Sequence, residues 1–168
     1  MKPYFKISSV VFAFLSLLQS CGAGADQKII LGKADSLFIR VRCVKTVSEL
    51  IEKTLLLPSQ KKMQFKMEYI NETYPDTITK TQAEKIMLVK NLYQNYEVLI
   101  GITKQIQKQS VLQLQQISKL NSEINKGGDE NLLQYLTFEN KCADTLSGAL
   151  DALIKKSIEL GCKSQNVN

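Results

Sequence analysis

The stretch that decides the fold is TKTQAEKIMLVKNLYQNYEVLIGITKQIQKQSVLQLQQISKLNSEINK, residues Thr79–Lys126. It contains no proline, and its one glycine is Gly101. Apolar residues recur at steps of three and four: Val89, Leu92, Tyr96, Leu99, Ile102, Ile106, then Leu114, Ile117, Leu120 and Ile124. That period predicts one helix with a single apolar stripe. At a rise of about 1.5 Å per residue it would be on the order of 70 Å long, so the other segments must lie along it. Thr79 with Gln82, or Thr81 with Glu84, supplies the capping box that starts it.

Gly127-Gly128 ends the long helix and Asp129 caps the next one at once, which predicts a tight antiparallel hairpin, 79–126 against 129–160. The last helix carries Leu132, Leu136, Ala143, Leu146, Leu150, Leu153 and Leu160 on one face, with Gly161 as its C-terminal cap. Upstream, a helix over about 27–56 carries Ile30, Ala34, Leu37, Val41, Val44, Ile51 and Leu55 on a heptad-like stripe broken by Ser48. The alternation in Ile39–Cys43 suggests a strand, but it lasts only five residues. Pro58 is expected to stop this helix. A short helix over about 60–73 then leads to a Tyr74-Pro75-Asp76 turn. The expected fold is an all-α, elongated three- to four-helix bundle in a single domain, 26–168.

The N-terminus reads as an export signal. Lys2 and Lys6 precede an apolar run from Ile7 to Leu18, too short for a membrane span. Ala23-Gly24-Ala25 offers a cleavage site that would start the mature chain at Asp26, making 1–25 the leader. Alternatively Leu18-Gln19-Ser20-Cys21 resembles a bacterial lipobox, with a cut after residue 20 and a lipid on Cys21. Either route exports the protein, as a secreted molecule or as an envelope lipoprotein.

Histidine is absent, which removes His-based triads, acid/base catalysis and the histidine metal motifs. The cysteines lack CxxC-type spacing, and the carboxylates are scattered, so no catalytic or metal residue is assigned and no cofactor is implied. The net charge of +6 comes almost wholly from lysine, since Arg40 and Arg42 are the only arginines. That speaks for a solvated surface against a sequence-specific nucleic-acid reader. Asn71-Glu72-Thr73 is a glycosylation sequon. Six glutamines between Lys104 and Lys119 read as helix formers on a wet face, or as a polar layer that meets Glu139 across the hairpin and fixes register.

Lengths suggest how the pieces fit. If the first helix enters at the end away from the hairpin turn, Cys43 lies level with Cys162, while Cys142 is about 30 Å from Cys162 along one helix. A Cys43–Cys162 disulfide is therefore expected. In that arrangement the upper third of the hairpin projects uncovered and displays Val111, Leu112, Leu133, Tyr135 and Phe138, a surface for a protein partner or a second copy. The alternative is a kink near Gly101 that folds this end back into a shorter bundle. A further alternative is a carrier whose cavity is lined by Phe38, Met63, Phe65 and Met67. Phe38–Lys45, basic and apolar, would serve a membrane-active helix if it were free. In layout (leader, lysine-rich helices, few cysteines) the chain is similar to small secreted proteins of insect seminal fluid and saliva, and also to bacterial envelope lipoproteins. The sequence thus points to a non-enzymatic, exported helical protein that acts by protein–protein interaction.

Overall fold

The computed structural model describes residues 5–73, 78–126 and 131–165, with side chains from Gln27 onward. The leader with its two cuts and Cys21, the Pro75 turn, and Gly127, Gly128 and Asp129 of the hairpin turn lie outside the residues described in full. Every described element is helical: α1 (Phe5–Ile51), a π turn (Glu52–Leu56), α2 (Leu57–Thr73), α3 (Lys80–Asn125) and α4 (Leu132–Gln165). The chain is an all-α bundle.

α3 is the predicted long helix. Thr79 is its N-cap, with the Thr79 backbone N–H donating to Gln82 Oε1 at 2.8 Å, so the earlier of the two capping boxes is the one used. The helix runs unbroken through Gly101, and no chain break at that residue folds the tip back. Gly101 is exposed and a Cβ there would touch nothing within 4 Å, so the glycine answers no packing demand. α4 likewise runs past Gly161, the expected cap, to Gln165.

The first rod departs from expectation in two ways. Pro58 does not stop it. A proline ring in a regular helix collides with the carbonyl four residues earlier, here that of Thr54. The chain avoids this by widening into a π turn immediately before the proline, where the Leu57 N–H donates to the Glu52 carbonyl, five residues back. Leu57 itself stays helical at φ −63°, ψ −45°. The Thr54 hydroxyl donates to the Leu50 carbonyl at 2.7 Å. α1, the π turn and α2 therefore form one continuous rod.

The extra residue in the π turn also shifts the buried stripe. Ala34, Leu37, Val41, Val44 and Ser48 are buried at helical spacing. A regular helix would continue the stripe through half-buried Ile51 to Leu55, but the wider turn delivers Leu56, which is fully buried, and then Met63. Leu55 is left half-buried.

The second departure is direction. Polar pairs between the rods set it: Gln27 Nε2 donates to the Ile124 carbonyl, Asn121 Nδ2 to Asp35 Oδ1 at 3.0 Å, and Gln107 Nε2 to Glu52 Oε2 at 2.7 Å. From Gln27 onward, α1 thus runs from beside the hairpin end antiparallel to α3. It runs parallel to α4, where Arg40 Nη2 donates to the Asn140 carbonyl at 3.2 Å and pairs with Asp144 Oδ1 at 2.8 Å. The expected entry from the opposite end is corrected, and so is the bare tip. One core cluster joins Ala34, Leu37 and Val41 to Ile117, Leu120, Ile124, Leu132, Leu136 and Ala143 near the hairpin end. A second joins Leu56 and Met63 to Leu92, Tyr96, Leu99, Leu153 and Leu160 toward the other end.

Candidate interaction surface

The inward positions of the first half of α4 are taken by Leu132, Leu136, Glu139 and Ala143. Helical geometry leaves the positions between them on the flanks and the outer face. Three of these are large and apolar: Leu133 is 54% exposed, Tyr135 60% and Phe138 60%. They stay exposed although α1 covers the tip, because a three-helix bundle buries only one stripe of each helix.

Grooves run along both flanks of α4. The groove between α3 and α4, about 1260 Å³, is lined by Gln116, Lys119, Leu120, Tyr135, Phe138 and Glu139 among others. The groove between α1 and α4, about 590 Å³, holds Ile29, Leu37 and Arg40 opposite Leu133, Leu136 and Asn140. A depression on the outer face of α4 links them, since it contains both Leu133 and Phe138 beside Thr137 and Lys141. The structure therefore joins Leu133, Tyr135 and Phe138 into one band. It does not bring in the other two expected members. Val111 lines a separate depression on α3 with Leu114, Gln115 and Ser118, and Leu112 is exposed but lines none of these grooves.

Behind the band lies a polar contact. Gln113 is buried, and its Nε2 donates to the Glu139 carbonyl at 2.6 Å across the hairpin. This is the polar layer that the glutamine run allowed, carried by one residue of the six; Gln107 is half-buried and the other four are exposed. Glu139 is only 8% exposed. Its Oε2 and the Gln113 Oε1 are both buried and have no hydrogen-bond partner. Burial holds the Glu139 carboxyl above its ordinary pKa, and a hydrogen bond from Gln113 offsets this in part. Burial, with a smaller contribution from Glu139, also raises the Cys142 thiol.

Comparison with known proteins finds no matching family model, no matching curated protein and no matching solved structure.

The remaining expected sites fall as follows. Cys43, Cys142 and Cys162 are unpaired. The Arg40–Asp144 pair sets Cys43 level with the part of α4 just after Cys142, so Cys162 lies about 25 Å further along the bundle, too far for a disulfide. Asn71 is exposed in the last turn of α2, where the Thr73 hydroxyl of the sequon donates to the Tyr69 carbonyl at 2.7 Å. The four candidate carrier residues do not meet around one cavity: Met63 and Met67 pack in one core cluster, Phe38 packs against the other, and Phe65 is exposed with Lys61 Nζ 5.7 Å from its ring centroid. Within Phe38–Lys45, Val41 and Val44 face the core, so its apolar side is already occupied. Among the described residues no group of three His, Cys, Asp or Glu could hold a metal, and no helix is long and apolar enough to cross a membrane.

Proposed function

We propose that the protein is exported and works as an interaction module, with the outer side of the first half of α4 as its docking face for another protein. The observation that supports this most is the exposed band of Leu133, Tyr135 and Phe138 between two grooves. Aromatic side chains dominate interface energetics, burying roughly 150–250 Å² each when fully covered. The flanking grooves extend the band toward the roughly 800 Å² per partner of an ordinary interface. The rim offers the mixed charges that orient a partner, with Lys119, Glu123 and Lys126 on one side and Arg40 on the other.

The test is proximity crosslinking from residue 134, in the middle of the band, followed by reconstitution with the purified partner. Phe138→Asp is expected to abolish association while leaving the helical circular dichroism unchanged. Light scattering of the protein alone from low to high concentration reports whether the partner is a second copy. Association of wild type and Phe138→Asp with equal strength would refute the docking face.

A further inference from the structure

Gly101 poses a question that one chain alone does not answer. A glycine inside a helix destabilises it relative to alanine, through the backbone freedom lost on folding. This one sits in mid-α3, exposed, with open space around its missing Cβ. The buried stripe of α3, apart from Ile100 beside it, advances by alternating steps of three and four from Val89 to Ile124, the winding of a coiled-coil helix. The same steps on the opposite side lead from Met87 through Val98 and Gly101 to Leu112, and every position on this line is exposed. Met87, Val98 and Leu112 are large, apolar and 64%, 60% and 45% exposed, and Lys108 is the only charged residue on the line. In a chain this rich in lysine, a face meant only for water would carry more charge.

We propose that two copies of the protein pair along this face, α3 against α3 and antiparallel, crossing at Val98 and Gly101. The register that seats Val98 in the space left by Gly101 of the second copy also sets Gln94 against Gln105, Asn91 against Lys108 and Met87 against Leu112. Large meets small at the centre, amide meets amide beside it, and apolar meets apolar at the ends. On the flank, exposed Glu97 comes level with exposed Lys104 of the second copy, and the two-fold axis repeats the pair. Sliding the copies by one heptad opposes Lys104 to Lys104 in one direction and Glu97 to Glu97 in the other. An in-register parallel pairing sets Lys108 beside Lys108 and wastes Gly101 on Gly101. Flanking charges of this kind choose the partner and its orientation, and polar seam layers fix the register at some cost in stability. The paired length from Met87 to Leu112 is about 38 Å, which falls within the roughly three to four heptads of a coiled coil. The face is thus its own complement, as a two-fold interface requires and a foreign partner would not. It uses no residue of the α4 band and does not rest on the docking face.

Sedimentation equilibrium of the purified protein is expected to show a dimer with a dissociation constant of about 10 μM or tighter. Glu97→Lys and Lys104→Glu each set like charges face to face twice, and each is expected to weaken the dimer by roughly tenfold. The double variant Glu97→Lys/Lys104→Glu should restore it, with the helical circular dichroism of all three unchanged. A crosslink reports the register. In a background with Cys43, Cys142 and Cys162 changed to serine, a mixture of Met87→Cys and Leu112→Cys proteins under mild oxidation should yield a linked dimer with one of each. Neither variant should link to itself, because its two cysteines lie about 38 Å apart across the axis. Phe138→Asp should leave the dimer intact, which keeps this outcome apart from that of the docking face. A protein that stays monomeric to about 300 μM, a charge swap that does not restore pairing, self-linking of Met87→Cys without the mixed link, or loss of the dimer in Phe138→Asp would each overturn the proposal.

Discussion

Replacing Glu139 with glutamine should make the bundle more stable, and the gain should depend on pH. The side chain is 8% exposed, with one carboxylate oxygen unpartnered and the unpartnered Gln113 Oε1 on the facing helix. Glutamine keeps the shape, removes the charge and supplies an N–H donor. One buried orphan acceptor costs about 1–3 kcal/mol, so relieving one sets the scale of the gain. The pH dependence follows from linkage. Burial raises the folded-state pKa of Glu139 above its ordinary 4.5. The neutral form is therefore favoured by folding, and the stability tied to it is fully present below pH 4.5 and lost as pH rises through the raised folded value. Wild type should lose this contribution on going from pH 4 to pH 8, and Glu139→Gln should not. The neighbours do not mask the effect: Cys142 on α4 is itself shifted upward, and Arg40 on α1 is already paired with Asp144. Urea melts at pH 4, 6 and 8 measure the difference. The expected gap is small at pH 4 and grows to about 1–3 kcal/mol at pH 8, a rise of about 2–4 °C in Tm for each kcal/mol. A variant less stable than wild type at pH 8, or a gap that does not change with pH, would refute the reasoning.

Other predictions follow from the rods. Leu56→Ala should cost about 2–5 kcal/mol in denaturant melts and Leu55→Ala clearly less, because the π turn puts Leu56 in the core; the reverse order would mean the turn is absent. Gly101→Ala should stabilise by about 0.5–1 kcal/mol, since the glycine is helical, exposed and has open space around its missing Cβ. A thermal melt with no gain would place Gly101 at a bend that the continuous helix does not have. On the proposal that the chain is exported by cleavage after residue 25, intact mass of the mature protein should show a chain beginning at Asp26; a mass carrying acyl chains on Cys21 would favour the lipid anchor instead.

Helix type and the α3/α4 pairing are legible in the sequence because they rest on local signals: the stripe from Val89 to Ile124 and the Thr79–Gln82 box for the helix, and the adjacent Gly127-Gly128 and Asp129 for the pairing. Direction of the first rod was not. A heptad stripe packs equally well either way up, and the choice falls to a few polar pairs such as Asp35–Asn121 and Arg40–Asp144, which no single segment announces. Pro58 misled for a similar reason. Its steric rule is local, but the chain satisfies it with a π turn whose upkeep comes from packing on α3. From that one inserted residue came the exchange of Leu55 for Leu56. Cys43 falls away from Cys162 for a separate reason: the rod lies against the hairpin end, nearer the turn than a bare tip would allow. Leu133, Tyr135 and Phe138 of α4 are exposed, as their sequence positions suggest, yet for another cause than a bare tip. They are exposed by their position around the helix, while α1 covers the tip. Of the glutamines, only Gln113 falls on the inward stripe, and only the register of the hairpin shows that it meets Glu139.

That α1 runs from the hairpin end at Gln27 parallel to α4 is tested most directly by a paired-cysteine crosslink. In a background with Cys43, Cys142 and Cys162 changed to serine, Asp35→Cys is combined with Asn121→Cys or, at the other end of α3, with Lys90→Cys. The side chains of Asp35 and Asn121 touch at 3.0 Å. Mild oxidation should link the 35/121 pair within one chain and leave the 35/90 pair open. A bridge in 35/90 with none in 35/121 would show that the first rod runs the other way.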